Sequence, residues 1–271
     1  MGDKTQVATV ALAAKYASLS AVVAGTTAGM LLANAPAVLL GEVAAKKLPL
    51  GLVRGIAAGT LSVEVLTEGA HSGDASGVVP SSFRIARRLL DRIEDSVSGR
   101  ILPAAFHAPI PDERVAQAGV ASGILGETMV KRFPWSGRTR PMVDGNAEVV
   151  LNRTWRPALS ITGADGLPPI ANAGNVLRPA TKLKLSLRIP PTLDGEQATA
   201  ELKTLLEADP PHGATVRFEP DQGATGWNAP ATATWLADAI DASSRTFYGQ
   251  PSGALGEGGT IPFMGMLGKQ F

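Results

Sequence analysis

The feature that most constrains this chain of 271 residues is a run from Tyr16 to Gly41 that contains no charged side chain. A run of that length can cross a bilayer as a helix. Gly25, Gly29 and Ala33 recur in it at four-residue spacing, which lets membrane helices approach closely. The alternative is an Ala- and Gly-rich helical hairpin buried in a soluble protein.

Basic residues follow this run at Lys46, Lys47 and Arg54. Positive charge after a membrane segment is typical of its cytoplasmic side. We therefore expect a membrane-type α-helical hairpin within residues 1–54, with residues 16–41 associated with the membrane. The remainder is expected to be a soluble part in the cytoplasm.

The composition of the chain excludes several kinds of function. A net charge of +1 and an aromatic content of 5% argue against a nucleic-acid partner. The chain has no cysteine, which rules out disulfides, thiolate catalysis and cysteine-ligated metals.

After Gly55 the pattern of apolar residues predicts an α+β domain. Leu183 to Ile189 alternates apolar and polar side chains, as a half-buried strand does. Asp194 is placed to cap a helix, with Gln197 completing a capping box. Further strands are predicted at 61–66, 158–162 and 214–218, and further helices at 82–97, 112–129 and 232–247. This order predicts an antiparallel sheet with helices on one face.

A loop of small residues, Glu68 to Asp74, presents one of the three histidines, His71. A predicted strand precedes the loop and a predicted helix follows it, and its glycines let the backbone turn sharply. We therefore expect the imidazole of His71 to be exposed to something outside its own domain. The alternative is a surface histidine in a turn.

The first residues resemble a membrane-protein family. Gly2-Asp3-Lys4-Thr5-Gln6 and the sequence up to about Arg54 are similar to the second repeat of the GDT-type manganese/calcium–proton exchangers. The resemblance assigns Asp3, Lys4 and Thr5 to the ion-binding motif. The Glu that leads this motif in the family would precede Met1, and the other repeat has no counterpart. We therefore expect no transport activity, because alternating access needs both repeats.

Residues from about 54 to 271 resemble the lid (dimerisation) domain of the carnosinase/aminoacylase family of dinuclear zinc peptidases. The resemblance is carried by four motifs, which are Glu68–Pro80, Ala173–Pro179, Leu185–Pro191 and Glu257–Pro262. It implies a homodimer formed through a lid at residues 55–250, followed by a stub of the catalytic domain at 251–271. The hairpin of residues 1–54 precedes them.

The same resemblance implies roles for individual residues. His71 would stabilise the oxyanion at the zinc site of a partner subunit, and Arg188 would grip the substrate carboxylate. Asn175, and the loop residues Glu257, Gly259 and Thr260, would also contact a peptide or acyl-amino-acid substrate. Zinc is implied by the resemblance alone, and we expect no metal ligand in this chain. The family's ligands belong to a domain before the lid and to a histidine after it, whereas His107 and His212 are predicted to be solvated.

Three functions remain open at this point. The first is a fragment of a dipeptidase or amino-acid deacylase, which hydrolyses a peptide or amide bond and is inactive alone. The others are a dimerisation module without catalysis and a truncated manganese/proton exchanger. The two resemblances favour a fusion of unrelated gene fragments near Arg54.

Overall fold

The computed structural model describes residues 56–221 and 223–256, and its centre is a four-stranded antiparallel sheet. The strands are β1 (Ile56–Glu64), β3 (Ala158–Asp165), β5 (Ala180–Arg188) and β6 (Thr215–Pro220), in the order β3-β5-β1-β6. Two short strands, β2 (Ala70–His71) and β4 (Val176–Leu177), form a separate antiparallel pair.

Seven α-helices accompany the strands in the described ranges. They are α1 (Ser72–Ala75), α2 (Ser82–Leu90), α3 (Asp112–Leu125), α4 (Thr128–Lys131), α5 (Asn146–Thr154), α6 (Gly195–Glu207) and α7 (Thr234–Tyr248). No helix among the residues described is both long and apolar enough to cross a membrane. The predicted hairpin of residues 1–54 lies outside the described residues.

One face of the sheet carries the core. Alternate side chains of β1 and β5, among them Leu61, Val63, Leu185 and Leu187, are fully buried. Helices α2 and α6 pack on this face, so the sheet buries one side as its period-two pattern requires. The predicted α+β architecture, an antiparallel sheet with helices on one face, is confirmed.

Helix α2 begins as predicted but ends earlier. The Ser81 side chain accepts a hydrogen bond from the Arg84 amide, as an N-cap should. The helix ends at Leu90 instead of continuing to Val97. The Asp95 carboxylate accepts hydrogen bonds from the backbone amides of Val97 and Ser98. These bonds stabilise a turn here instead of a further turn of helix.

The long helix predicted at 112–129 is broken. Helix α3 ends before Gly126, whose φ of 51° suits glycine, and α4 then forms a separate turn. Helix α5 was not predicted from the sequence. It packs on α3 around a small second core that includes Ala118, Met129, Val150 and Leu151.

Polar contacts fix both ends of α6. The Asp194 carboxylate accepts a hydrogen bond from the Gln197 amide at 2.8 Å, which confirms the predicted cap. At the other end, Glu207 accepts hydrogen bonds from Lys203 Nζ and from the Phe218 amide of β6, each at 2.7 Å. Burial raises the pKa of Glu207, but these hydrogen bonds and the charge of Lys203 outweigh it and leave the pKa below its ordinary value.

Candidate functional site

The pair of short strands brings two of the predicted site residues together. His71 lies opposite Val176 in the β2–β4 pair, and the next amide, that of Ser72, donates to the Asn175 carbonyl at 2.9 Å. We call this unit, residues 68–77 with 173–178, the histidine hairpin. His71 and Asn175 are both exposed on it, as the sequence predicted for the histidine.

The local contacts of His71 define which nitrogen is available. Its Nδ1 accepts a hydrogen bond from the Gly73 amide at 3.1 Å, which makes His71 the cap of α1. A nitrogen that accepts must carry its lone pair, so in the neutral ring the proton lies on Nε2. The imidazole therefore presents an N–H donor outward, the group that a developing oxyanion needs.

Two glycines of the histidine hairpin lie where an added side chain would crowd a neighbouring residue. A Cβ added at Gly69 would lie 2.7 Å from Val176 Cγ1, too close for an undisturbed contact. A Cβ at Gly73 would lie 3.1 Å from Cε1 and Nδ1 of the His71 ring. The small residues around His71 thus serve the close packing of the hairpin as well as its turn.

Exposed apolar side chains occur in the histidine hairpin and in the segments of sequence that flank it. Val78 is 80% exposed and Ile170 is 95% exposed, and Leu167 and Val176 are also exposed. Exposed apolar side chains of this kind are available for burial against another subunit.

Arg178 is a site-supporting residue that sequence reasoning missed. Its Nε donates to the Gly166 carbonyl at 3.1 Å, which anchors the loop leading to Ile170 and Asn175. The buried Ser82 hydroxyl contacts both the Arg178 carbonyl and the Thr181 hydroxyl. The sequence pointed to this position, because Arg178 lies within the Ala173–Pro179 motif. It did not show whether Arg178 anchors the loop or contacts the substrate.

Arg188 lies at the opposite end of the sheet. It is the last residue of β5 and pairs with Ile56 of β1 and Ala158 of β3. The histidine hairpin adjoins the other end of β5, where the strand begins at Ala180. Eight residue steps along a strand span ~26 Å. Arg188 and His71 of one chain therefore cannot hold the same small substrate.

Arg188 faces away from the helices. It shares the polar face of β5 with Lys182, Lys184 and Ser186, while the intervening leucines are buried against α2 and α6. Lys184 Nζ forms an ion pair with Asp221 Oδ2 at 2.6 Å on this face. Acidic residues of the neighbouring strands, such as Asp165 opposite Lys182, share this accessible face, so it carries both signs of charge, with Arg188 half-buried at its end.

Metal ligands are not gathered among the residues described. In residues 56–221 and 223–256 no three His, Asp or Glu side chains are grouped so that they could hold an ion. His107 Nε2 lies 2.7 Å from the Ile101 carbonyl, and His212 is exposed in a turn. These residues do not fit a zinc site. Asp3, Lys4, Thr5, Glu257, Gly259 and Thr260 lie outside the described residues.

Two family models match the chain. The model described as "Peptidase dimerisation domain" matches residues 53–214, and that described as "Divalent cation/proton antiporter GDT1" matches residues 1–65. The two matches overlap where β1 begins. A Vibrio cholerae serotype O1 protein described as a manganese exporter is 60% identical over 60 residues, which are 22% of this chain and 30% of that protein.

Solved structures share the fold of the described part. Human carnosine dipeptidase 1 superposes with a TM-score of 0.59 at 20% identity, covering 80% of this chain and 47% of that one. The Saccharomyces cerevisiae dipeptidase Dug1p superposes with a TM-score of 0.57 at 22% identity, covering 78% and 45%. The chain thus spans less than half the length of these structures. Both resemblances found in the sequence are confirmed, and because the dimerisation model matches more than half of the chain, the chain belongs to the peptidase dimerisation domain family.

Proposed function

We propose that this chain supplies the dimerisation and substrate-binding part of a metal-dependent peptidase of the dipeptidase or amino-acid deacylase type. The observation that carries the proposal is the histidine hairpin, which presents an imidazole N–H donor and Asn175 on a peptidase dimerisation domain. In this role His71 donates to the oxyanion formed when water attacks a peptide or acyl-amino-acid carbonyl. A positioned donor of this kind contributes about 10²–10³-fold to kcat.

The distance between the two ends of the sheet supports a site shared by two subunits. In a homodimer formed through this domain, the histidine hairpin of one copy enters the site of its partner, where the partner's own end of β5 lies. Arg188 then binds the substrate carboxylate, a task that suits the guanidinium fork. The exposed apolar side chains in and next to the hairpin support burial against the partner.

Zinc would polarise the scissile carbonyl and activate water in such an enzyme. We propose that its ligands are supplied by a catalytic domain other than the described part of this chain, because the described residues do not fit a metal site. The chain alone is then expected to be inactive. Stoichiometric, tightly bound zinc in the purified chain would contradict this assignment.

A lid exchange tests the proposed roles. Residues 55–250 replace the matching segment of yeast Dug1p, and hydrolysis of dipeptides is measured on the folded, dimeric chimera. His71→Ala is expected to lower kcat about 10²-fold or more. Arg188→Lys is expected to raise KM for dipeptides but not for dipeptide amides, which lack the carboxylate. A folded dimer that hydrolyses equally well without His71 would refute the role of the hairpin.

A second candidate function rests on the first 65 residues. Their match to a cation/proton antiporter family, and the 60% identity to the Vibrio cholerae protein, favour an origin as a divalent-cation exchanger that uses Asp3, Lys4 and Thr5. On this proposal the N-terminal hairpin associates with the membrane and the peptidase domain lies in the cytoplasm. Manganese tolerance of an exporter-deficient cell tests it. Rescue by this chain would establish transport, and growth no better than that of the deficient cell would count against it.

A further inference from the structure

We propose that the loop of residues 131–142, here called the basic–aromatic loop, docks on the surface of an anionic phospholipid bilayer. This loop connects α4 to α5 and has no part in the proposed hydrolytic site. Its cationic side chains are Lys131, Arg132, Arg138 and Arg140, and the one acidic residue in the connection to α5 is Asp144. Every residue of the loop is exposed.

The two aromatic rings of the loop are held at the surface. Phe133 is 43% exposed and Trp135 is 42% exposed, and their rings meet edge to face with centroids 5.9 Å apart. The Trp135 indole N–H already donates to the Val130 carbonyl at 2.9 Å. Its apolar ring surface can therefore enter the headgroup region, where aromatic side chains are enriched, without leaving a buried donor unpaired.

Three of the four positive charges have no acidic partner among the residues described. Lys131 is paired with Glu127 at 2.5 Å, and the Arg132 guanidinium lies 5.1 Å from the centre of the Phe133 ring. Arg138 and Arg140 are exposed and have no acidic partner among residues 56–221 and 223–256. A negative lipid surface supplies the missing charge over the whole width of such a loop.

The ring geometry favours a bilayer over single-stranded nucleic acid. Bases stack on open aromatic faces, but one face of Phe133 is approached by Arg132, and the Phe133 and Trp135 rings meet at an interplanar angle of 74° instead of forming a parallel platform. The exposed Met142, at 75%, adds another apolar group at the end of the loop, which suits lipid better than phosphate and base.

Vesicle co-sedimentation of the full chain tests the proposal. The measured quantity is the ratio of apparent affinities for vesicles with 30% phosphatidylserine and for neutral phosphatidylcholine vesicles. Each variant is compared with the unmodified chain, so that residues 1–55 contribute equally to the two ratios. One basic residue near an anionic surface contributes about fivefold. The variant Arg138→Gln/Arg140→Gln is therefore expected to lower the ratio about 25-fold.

A matched control variant removes two positive charges from a different part of the surface. Arg84→Gln/Arg88→Gln lies on the exposed side of α2 and is expected to change the ratio less than twofold. Equal losses for the two variants, or a ratio near one for the unmodified chain, would overturn the proposal. Tighter binding of the loop to a single-stranded oligonucleotide than to the anionic vesicles would overturn it as well.

Discussion

Substitution of Gly69 by Ala should open the histidine hairpin selectively. The added Cβ would lie 2.7 Å from Val176 Cγ1, so the valine must leave its position. Valine is stiff at χ1, and relieving such a contact costs about 1 kcal/mol. The hydrogen bond from the Ser72 amide to the Asn175 carbonyl closes this hairpin, and its opening should become about fivefold more frequent.

Native-state hydrogen exchange at the Ser72 amide measures this opening directly. The double variant Gly69→Ala/Val176→Ala removes the clashing Cγ1 and should restore exchange to within about twofold of Val176→Ala alone. Gly119→Ala in α3 is the control, because nothing lies within 4 Å of its added Cβ. Unchanged exchange in Gly69→Ala, or a double variant that exchanges as fast as the single one, would refute the described packing.

Two further predictions concern the core. Leu202→Ala in α6 empties a fully buried position and should lower the free energy of unfolding by about 3 kcal/mol, measured by urea denaturation; a loss below about 1 kcal/mol would show that the position is not packed as described. For Glu207 the folded pKa lies below the usual value of 4.5, so its stabilisation is present above that pH and is lost as the pH falls through the folded pKa. Glu207→Gln should therefore cost about 1–2 kcal/mol at pH 7 and progressively less below pH 4.5, and a cost that does not depend on pH would contradict the ionised contact to the Phe218 amide.

The sheet and its two covering helices could be predicted because their signals are local. The alternation from Leu183 onward predicts a strand, and the caps at Ser81 and Asp194 predict the starts of two helices. The apolar side of each element then faces the core, because burial favours it. Helix α5 could not be predicted in the same way. Its segment contains Val149 and Val150, which are weak helix formers, and packing on α3 supplies the stability that propensity does not.

Whether the predicted site residues lie close together depends on how the strands pair and in which register. A single sequence does not reveal this pairing. The motifs indicate His71, Asn175 and Arg188 as one group. The antiparallel pairing of β1 with β5 places Arg188 beside Ile56 and the histidine hairpin beyond the other end of the strand. On the proposed function, this arrangement makes the predicted site two halves that meet across a pair of subunits.

Cysteine cross-linking between subunits tests this central claim most directly, and the natural chain has no cysteine to interfere. Single variants His71→Cys and Arg188→Cys are mixed, allowed to exchange subunits and treated with a short bis-maleimide. The shared-site account predicts covalent dimers in this mixture, and few when Val97→Cys, in the exposed turn after α2, replaces the Arg188 variant. A stable dimer that gives no His71–Arg188 cross-link would contradict the account.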